Sequence, residues 1–401
     1  MRRAVGTFLI VLLIMLLAAD WQFIKNMESD PEPVRIINFR SEKLAQHQKV
    51  DSIHIRNNAD FELVGATGSG TPLEPYILEN LEINSSRTCI LVEDTTAHFS
   101  ISNCILESYD GWFAVQFINV VNGRVVGCDC RRFGGITIAD SADITIEDTT
   151  VCGSSIGIYL NRVENSSIRG CTMFYNYWGI QLVRTNNSQM QENTIYGNWH
   201  NGFTIDDSSS NNTVYGNFIG WNNAANLEWS NAIDNGYNNI FDDGISIGNS
   251  WSDYDGSGAY VISGIGNSLD SFPQLFEDNV PPSITHSADT IIDIDSVGNI
   301  LTWVTHDEYP HAYRIREDDR DLPMTPWIGG NVTFSLDRLE QGPHEINITL
   351  YDGAGNEAAD GVLILVLYSY LGGFGTELVM FASGITLTIF IAIIILIRKL
   401  S

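Results

Sequence analysis

Apolar and polar residues alternate along the chain, and the pattern returns with a period of about 22 residues between Ile77 and Asn223. One template has an apolar residue, then Cys, Asn or Thr three positions later, then an apolar residue two positions beyond. A second template follows in each repeat, with a small residue before an apolar-x-apolar triplet. The first occurs at Ile101-Cys104-Leu106, Val125-Cys128-Cys130, Ile146-Thr149-Val151, Ile168-Cys171-Met173, Met190-Asn193-Ile195 and Val214-Asn217-Ile219. The second occurs at Ala114-Val115-x-Phe117, Gly135-Ile136-x-Ile138, Gly157-Ile158-x-Leu160, Gly179-Ile180-x-Leu182 and Gly202-Phe203-x-Ile205.

A fixed period of this size indicates a stacked repeat architecture. The two-residue alternation and the β-branched residues in the apolar positions favour strands over helices. Leucine-rich repeats need a Leu-x-x-Leu-x-Leu frame, which the sequence lacks, and propeller blades need about twice the period. We therefore predict an all-β chain whose main body, residues 61–278, is a right-handed parallel β-helix. Its hand is that of most parallel crossovers.

Equivalent positions of such a coil stack above one another, so the repeats predict two columns. The glycines before the apolar triplets would form a corner with no room for a Cβ. Cys104 and Cys128 would stand on adjacent turns, either joined by a disulfide or filling the core as reduced thiols, and both alternatives stay open. The Cys, Asn and Thr positions would form an inward ladder at a bend, made of Asn80, Cys104, Cys128, Thr149, Cys171, Asn193 and Asn217.

A second β domain is predicted after Val280-Pro281-Pro282, across residues 279–370. Short strands separated by turn signals recur there, at Thr290–Ile294, Ile300–Val304, His311–Ile315, Val332–Leu336, His344–Leu350 and Gly361–Leu367. This pattern is typical of a β-sandwich and resembles the immunoglobulin-like domains. The stretch has no cysteine for an inter-sheet disulfide, so the resemblance rests on the strand pattern.

Both ends of the chain carry membrane signals. Residues 1–20 combine Arg2-Arg3 with an apolar run, as in a signal peptide or a retained signal anchor, and residues 21–60 form a lead-in. Residues 378–397 are apolar for long enough to span a bilayer, and Arg398-Lys399 place the C-terminus in the cytoplasm. The bulk of the chain is thus expected outside the cell, anchored in the cell membrane. Six sequons agree with export and are candidate glycosylation sites, at Asn84, Asn165, Asn186, Asn211, Asn331 and Asn347.

Acidic residues outnumber basic ones, 49 to 21, for a formal net charge of -28. This balance argues against nucleic acid as a partner, because phosphate binding needs clustered Lys and Arg. It also argues against docking on an anionic lipid surface. The cysteines and histidines lack zinc-site spacing, so no metal ligand set is predicted. No cofactor is identified, although a divalent cation is compatible with the acidic surface.

Aromatic residues crowd one corner of the predicted coil, where stacking of the repeats would turn them into a strip. Aromatic faces with polar neighbours such as Asn176 and Asn198 suit sugar rings, which offer C–H faces and hydroxyl rims. The alternative is that these side chains only cover a bulky turn. Catalytic residues are not identified, since the adjacent Asp206 and Asp207 would point to opposite faces of a strand. The candidate carbohydrate-binding residues are Trp112, Phe133, Tyr159, Tyr177, Trp178, Trp199, His200 and Asp206.

The repeats and two flanking segments resemble the NosD-like and carbohydrate-binding/sugar-hydrolase (CASH-type) family of right-handed β-helix proteins, over roughly residues 61–276. The flanking segments are Gly68-Ser69-Gly70-Thr71-Pro72 with Pro75-Tyr76-Ile77-Leu78-Glu79-Asn80, and Gly248-Asn249-Ser250-Trp251-Ser252-Asp253-Tyr254. The resemblance implies the fold, which hosts lyases, hydrolases and binding proteins. We interpret the chain as a surface-anchored protein that binds extracellular polysaccharide or serves as a scaffold or adhesion module, rather than as an enzyme. The alternatives are a polysaccharide lyase or hydrolase on the same β-helix and, from the NosD resemblance, a copper accessory protein.

Overall fold

The computed structural model describes residues 47–367, apart from residue 133 and residues 223–229 and 286–287. Within these ranges the chain is all-β, as predicted, with one short helix at Asp60–Leu63. No helix in this part of the chain is long and apolar enough to cross a membrane. The predicted signal segment 1–20 and membrane helix 378–397 lie outside the described residues.

The main body is a parallel β-helix of three sheets, which confirms the predicted parallel β-helix; its right hand stays a prediction. The first sheet comprises Gln48–Lys49, Leu81–Ser85, Ile105–Ser108, Asp129–Arg132, Thr150–Cys152, Thr172–Phe174, Thr194–Tyr196, Phe218–Gly220, Ser250–Trp251 and Gln274–Leu275. The second comprises Ile53–Ile55, Ile90–Thr95, Val115–Val120, Ile136–Ala142, Ile156–Glu164, Trp178–Val183, Phe203–Ile205 and Ala232–Asp234. The third comprises Tyr76–Glu79, Phe99–Ser102, Gly123–Val126, Thr145–Glu147, Ser167–Arg169, Gln189–Gln191 and Thr213–Tyr215.

The strand register follows the repeats in the sequence, so both templates are confirmed. Three apolar columns fill the interior, because side chains alternate between the two faces of each strand. They are Ile101-Val125-Ile146-Ile168-Met190-Val214, Leu106-Cys130-Val151-Met173-Ile195-Ile219 and Val115-Ile136-Ile158-Ile180-Phe203. Every side chain in these columns is at most 1% exposed.

The inward ladder at the bend is confirmed from Cys104 onwards, with the buried Cys104 and Cys128 level with one another on adjacent turns. The Oγ1 of Thr149 accepts a hydrogen bond from the backbone N–H of Cys128 at 3.2 Å. Further along, Asn193 donates both its N–H and its Nδ2 to the Oδ1 of Asn217, each at 2.9 Å. Asn217 repeats this arrangement with Asn249, so the ladder runs beyond the predicted column.

The prediction that Asn80 begins this ladder is wrong. The strand register places Leu81 opposite Cys104, and the Leu81 side chain is the one that enters the core. Asn80 instead has a φ of 58°. Its Oδ1 accepts a hydrogen bond from the Nδ2 of Asn103 at the exposed side of the bend, at 2.6 Å.

All six cysteines are reduced and buried, at positions 89, 104, 128, 130, 152 and 171. Of the two alternatives for Cys104 and Cys128, the structure therefore has the reduced pair, in which the thiol of Cys104 donates to the Ser102 carbonyl at 3.3 Å and that of Cys128 to the Val126 carbonyl at 3.6 Å. Burial raises the pKa of the Cys89, Cys152 and Cys171 thiols to about 12. These thiols stay protonated at neutral pH and are poor nucleophiles.

The C-terminal part of the described chain consists of two sheets around a separate core, with strands at all six predicted places. One sheet contains Ser283–Thr285, Ile300–His306 and Val332–Ser335. The other contains Thr290–Asp293, Pro310–Glu317, Arg320–Asp321, Thr325–Pro326, Gly342–Asp352 and Glu357–Leu367. Trp303 and Ile348 are fully buried in this core. We refer to this part as the sandwich; its immunoglobulin-like character stays a prediction.

Aromatic side chains join the first sheet to the sandwich. Phe174, Tyr196 and Phe218 cluster on neighbouring strands of the sheet, with the Phe174 and Tyr196 ring centroids 5.3 Å apart and the rings nearly parallel. Tyr309 of the sandwich packs against Tyr196 and Phe218 at 5.8 and 5.6 Å between ring centroids. The Tyr196 hydroxyl donates a hydrogen bond to the Pro310 carbonyl at 2.6 Å. We call these residues the aromatic junction.

Candidate functional site

A groove of about 810 Å³ lies along the corner that precedes the strands of the second sheet. This volume is within the range of about 300–1,000 Å³ that is typical of small-molecule sites. The groove combines aromatic side chains with glycine, serine and threonine. It is lined by Gly111, Phe113, Gly134, Gly135, Thr137, Gly153, Ser154, Ser155, Ile156, Tyr159, Tyr177 and Trp178.

The glycine column keeps this corner free of side chains, as predicted. A Cβ on Gly135 would lie 2.1 Å from the carbonyl oxygen of Gly157. A Cβ on Gly157 would in turn lie 2.6 Å from the carbonyl oxygen of Gly179. Successive turns therefore stack backbone against backbone, and aromatic side chains from neighbouring positions form the wall of the groove.

Tyr177 and Trp178 form one end of the groove. Their ring centroids are 4.4 Å apart and their planes are nearly perpendicular. Tyr177 is 44% exposed, so one side of its ring is open to solvent. The His200 ring lies against both, 4.0 Å from the Tyr177 ring and 5.4 Å from the Trp178 ring, and is only 8% exposed. His200, a predicted binding residue, thus supports the two rings from the interior.

Polar side chains on the outer face of the second sheet border the aromatic wall. Thr137 is level with Tyr159, and Tyr159 is level with Gln181, so their side chains form one outward row. The exposed Ser155 adds a hydroxyl at the rim. The Oγ of Ser154 instead donates a hydrogen bond to a backbone carbonyl at 2.8 Å. The row and the rim offer hydroxyl and amide groups beside apolar faces.

The predicted aromatic strip is divided between two cavities. Tyr159, Tyr177 and Trp178 line the groove. Trp199 lines a separate cleft, where its ring lies 6.0 Å from the ring of Tyr175. A ligand in the groove therefore does not contact the whole predicted strip.

Trp112 and Asp206 are not among the described residues that line the groove. Trp112 is 49% exposed, and its carbonyl oxygen packs against Gly134. Phe133 lies outside the described residues. Asp206 accepts hydrogen bonds from the hydroxyls of Ser208 and Ser209, both at 2.6 Å. Burial tends to raise the pKa of Asp206, but these bonds hold it below its usual value, so Asp206 stabilises a turn.

The described lining of the groove carries no charged side chain. An uncharged surface of aromatic rings and hydroxyls suits uncharged sugar rings. Glycoside hydrolysis generally requires two carboxyl groups across the scissile bond, and the described lining offers none.

Carboxylates converge elsewhere, where oxygens of Asp278, Asp307 and Asp352 lie within 4.8 Å of one another. The Asp352 carboxylate accepts hydrogen bonds from the N–H and the Nδ2 of Asn356, each at 2.8 Å. Burial, followed by repulsion among the three carboxylates, raises the pKa of Asp307 and of Asp352. Oxygen ligands of this kind suit a hard divalent cation such as Ca²⁺.

Comparison with known proteins decides the family. Residues 47–256, just over half of the chain, match the family model described as "Periplasmic copper-binding protein (NosD)". The chain belongs to the NosD family. The matched part of this NosD protein is the β-helix, and the match ends before the sandwich begins. The chain matches none of the curated proteins.

The described residues of this NosD protein do not fit the copper in the family description. Copper prefers imidazole and soft sulfur ligands. In the part of the chain that the structure describes, the one convergence of three or more His, Cys, Asp or Glu ligands is the carboxylate cluster. The six thiols are buried. No copper step is therefore assigned to these residues.

Several solved structures are similar to this NosD protein. The A-module of the Azotobacter vinelandii mannuronan C-5 epimerase AlgE6 is 14% identical, with 51% of this chain and 74% of that chain covered and a TM-score of 0.31. The enzymatically active domain of tailspike protein 2 from bacteriophage CBA120 is 10% identical, with 73% and 67% covered and a TM-score of 0.27. Fibronectin(III)-like modules of Clostridium thermocellum CbhA are 15% identical, with 22% and 96% covered and a TM-score of 0.17. These likenesses do not bear on what the NosD chain binds.

Two sets of residues escaped the sequence analysis. Thr137, which lines the groove, and Gln181, which continues the outward row beside it, occupy the middle position of apolar-x-apolar triplets, which the alternation of strand side chains turns outward. These two residues could therefore have been identified from their position in the sequence template. Tyr175 and the sandwich residues of the cleft gave no such signal, because they meet only through packing of segments far apart in the sequence.

Proposed function

We propose that this NosD-family chain is a cell-surface protein that binds carbohydrate in the groove beside the second sheet. The observation that carries the proposal is the groove of about 810 Å³, whose described lining is aromatic and hydroxylic and carries no charge. Its proposed ligand is an uncharged stretch of polysaccharide.

The chemistry of the lining supports this ligand. Sugar rings have C–H faces that pack on aromatic rings, and Tyr177 and Trp178 offer such surfaces. Sugar hydroxyls need donors and acceptors beside those faces, and Thr137, Tyr159 and Ser155 carry hydroxyls there. A groove open along a rod of repeats also suits a linear chain better than a compact molecule.

Placement at the cell surface is part of the same proposal. The apolar segments 1–20 and 378–397, both outside the described residues, would export and anchor the chain. The candidate glycosylation residues support exposure to the exported side, because all six are exposed or half-buried. In this arrangement the sandwich follows the β-helix in the chain and precedes the anchor.

The test is binding of the purified full-length protein to a panel of polysaccharides, with retention and released fragments measured together. We expect retention of a neutral polysaccharide without fragments. Tyr177→Ala and Trp178→Ala should each weaken the affinity about tenfold or more, equivalent to ~1.4 kcal/mol. Tyr237→Ala is the matched control, because Tyr237 is 59% exposed and lies outside the groove lining, and should leave the affinity unchanged.

Each contrary outcome has a definite meaning. Fragments that disappear when a carboxylate is removed would replace binding by cleavage, as in a polysaccharide lyase or hydrolase. Stoichiometric copper binding without polysaccharide retention would favour the accessory function of the family description. Equal affinities of the Tyr177→Ala, Trp178→Ala and Tyr237→Ala variants would show that the groove does not bind the polysaccharide.

A further inference from the structure

A second cavity, of about 450 Å³, lies where the β-helix and the sandwich adjoin. We call it the cleft. Its β-helix wall includes Tyr175, Trp199 and Trp221, and its sandwich wall includes His311, Arg314 and Tyr351. The volume falls within the usual range of small-molecule sites, about 300–1,000 Å³. Unlike the groove, the cleft contains a cationic side chain.

Arg314 is half-buried in the cleft, and its guanidinium has no ion pair or hydrogen bond with the described residues. Several arginines on the β-helix, by contrast, have acidic partners. Arg124 and Arg169 both pair with Glu147, and Arg162 pairs with Asp140. In a chain with a net charge of -28, a half-buried arginine without an acidic partner is an unused anion-binding group.

The acidic residue among the described cleft lining, Asp352, does not pair with Arg314. Asp352 lines the cleft, but its carboxylate accepts the hydrogen bonds of Asn356 and converges with Asp278 and Asp307. The five N–H donors of Arg314 therefore remain available to a ligand.

The remaining walls are aromatic. The Tyr175 ring contacts the Trp199 ring edge-on at 6.0 Å and the His311 ring at 5.0 Å, both measured between centroids. Trp199 is 43% exposed, so its indole borders the opening. Burial lowers the pKa of His311 to about 4, so this ring is neutral at pH 7 and Arg314 supplies the positive charge.

We infer that the cleft binds an acidic sugar residue, whose carboxylate pairs with Arg314 and whose ring packs against Trp199 and Tyr175. A planar guanidinium can hold a carboxylate through two parallel hydrogen bonds, and an aromatic ring can cover the C–H face of the attached sugar. This site is separate from the groove, and the inference does not depend on the proposed function of the groove.

The experiment is calorimetric titration of the purified full-length protein with a trigalacturonate and with its methyl ester, which has the same rings without the charge. We expect the acid to bind and the ester to bind at least about tenfold more weakly. Arg314→Gln should abolish this difference, and Arg314→Lys should restore part of it, because lysine keeps the charge but not the planar fork. Binding of the acid should weaken with added salt.

Matched controls separate the cleft from the groove and from general charge. Arg338→Gln makes the same change of charge at an exposed position of the sandwich and should leave the titration unchanged. Trp199→Ala should weaken binding of the acid, whereas Tyr177→Ala should not. The melting temperature of each variant is measured first, and only variants that melt at the same temperature as the wild-type protein are titrated.

Several outcomes would overturn the inference. They are equal binding of acid and ester, an unchanged titration after Arg314→Gln, or a loss of acid binding in Tyr177→Ala but not in Trp199→Ala. Tighter binding of an aspartate-rich peptide than of trigalacturonate would show that the carboxylate partner is a protein segment and not a sugar.

Discussion

Gly179 occupies a position at which the β-helix has no space for a side chain. A Cβ there would lie 2.2 Å from the carbonyl oxygen of Gly202 and 2.7 Å from the Cγ2 of Ile195. Its backbone torsion does not demand glycine, since its φ is not positive. Contact between successive turns therefore dictates the residue.

Gly179→Ala should lower the free energy of unfolding by about 2–3 kcal/mol, because the added methyl group forces two turns apart. Gly244→Ala is the control, since Gly244 has a φ of 73° and open space around its Cβ position. Only backbone strain, about 1 kcal/mol, is expected there. Urea denaturation of both variants measures the difference. A cost for Gly179→Ala no larger than for Gly244→Ala would contradict the packing argument.

Asp307 makes stability depend on pH. Its pKa is raised in the folded chain by burial and by repulsion from Asp352 and Asp278. Ionisation is therefore less favourable in the folded than in the unfolded state. The stability linked to this group is fully present below the unfolded pKa of about 3.9 and is lost as the pH rises through the higher folded value.

Asp307→Asn should remove the loss of stability at neutral pH, because asparagine cannot ionise. The variant keeps a side-chain oxygen that can accept the N–H of Tyr309. We expect the variant to melt higher than the wild type at pH 7, on the order of 2 °C, because solvent screens a half-exposed charge. The difference should vanish near pH 3. Scanning calorimetry measures this difference in melting temperature. EDTA in the buffer keeps a bound cation from offsetting the repulsion among the carboxylates. A lower melting temperature of the variant at pH 7 would contradict the prediction.

Between turns of the β-helix, ladders of asparagine side chains connect each bend to the next. In one of them the N–H and Nδ2 of Asn176 donate to the Oδ1 of Asn198 at 3.0 and 3.1 Å. Asn198 makes the same pair of bonds with Asn222. Asn176 and Asn198 are 0% exposed, so they belong to this ladder and are not polar neighbours of a ligand, as the sequence suggested.

Asn198→Ala should destabilise the β-helix by about 2–4 kcal/mol, because it leaves the N–H of Asn176 and the carbonyl of Met173 unpaired in the interior. Asn161→Ala is the matched control at a half-buried strand position outside the ladder. It should change stability by roughly 0.5 kcal/mol or less. Chemical denaturation of the two variants is the measurement, and equal losses would contradict a special role of the ladder.

The columns of the β-helix could be predicted because a period in the sequence becomes a strand register. The failure at Asn80 shows the limit of that reasoning. The stretch Ile77-x-x-Asn80 imitates the first template, but Leu78 is the residue level with Ile101. Both Ile77 and Leu78 are apolar, so the pattern alone could not fix which of them faces inward.

The aromatic strip could be predicted only in part, for a different reason. Trp112, Tyr177, Trp199 and His200 precede the strands, where strand alternation no longer dictates the direction of side chains. Tyr177 remains at the groove, whereas Trp199 lines the cleft together with His311 and Arg314. Those partners lie more than 100 positions later in the chain, and their approach depends on packing that no local pattern encodes.

At the scale of the whole described chain, the aromatic junction is where the β-helix and the sandwich pack against each other. Tyr309 contacts Trp221 and Phe276 in addition to the junction rings, at 5.6 and 5.2 Å between centroids. Gly353 packs against the Tyr196 ring, where a Cβ would lie 2.4 Å from it. Close apolar packing of this kind couples the unfolding of the two parts.

Tyr309→Ala should uncouple them. We expect one calorimetric transition for the wild-type protein and two for the variant, because the junction loses its central ring. Tyr237→Ala is the control, since Tyr237 is 59% exposed and outside the junction. Two transitions in the wild-type protein, or one unshifted transition in the variant, would contradict the coupling.

The central claim is that the groove beside the second sheet holds the carbohydrate. A crystal structure of the full-length protein with a retained neutral oligosaccharide tests this most directly. The account predicts sugar rings packed on Tyr177 and Trp178, with hydroxyls bonded to the row that contains Thr137 and Tyr159. An oligosaccharide bound elsewhere with the groove filled by solvent would contradict it.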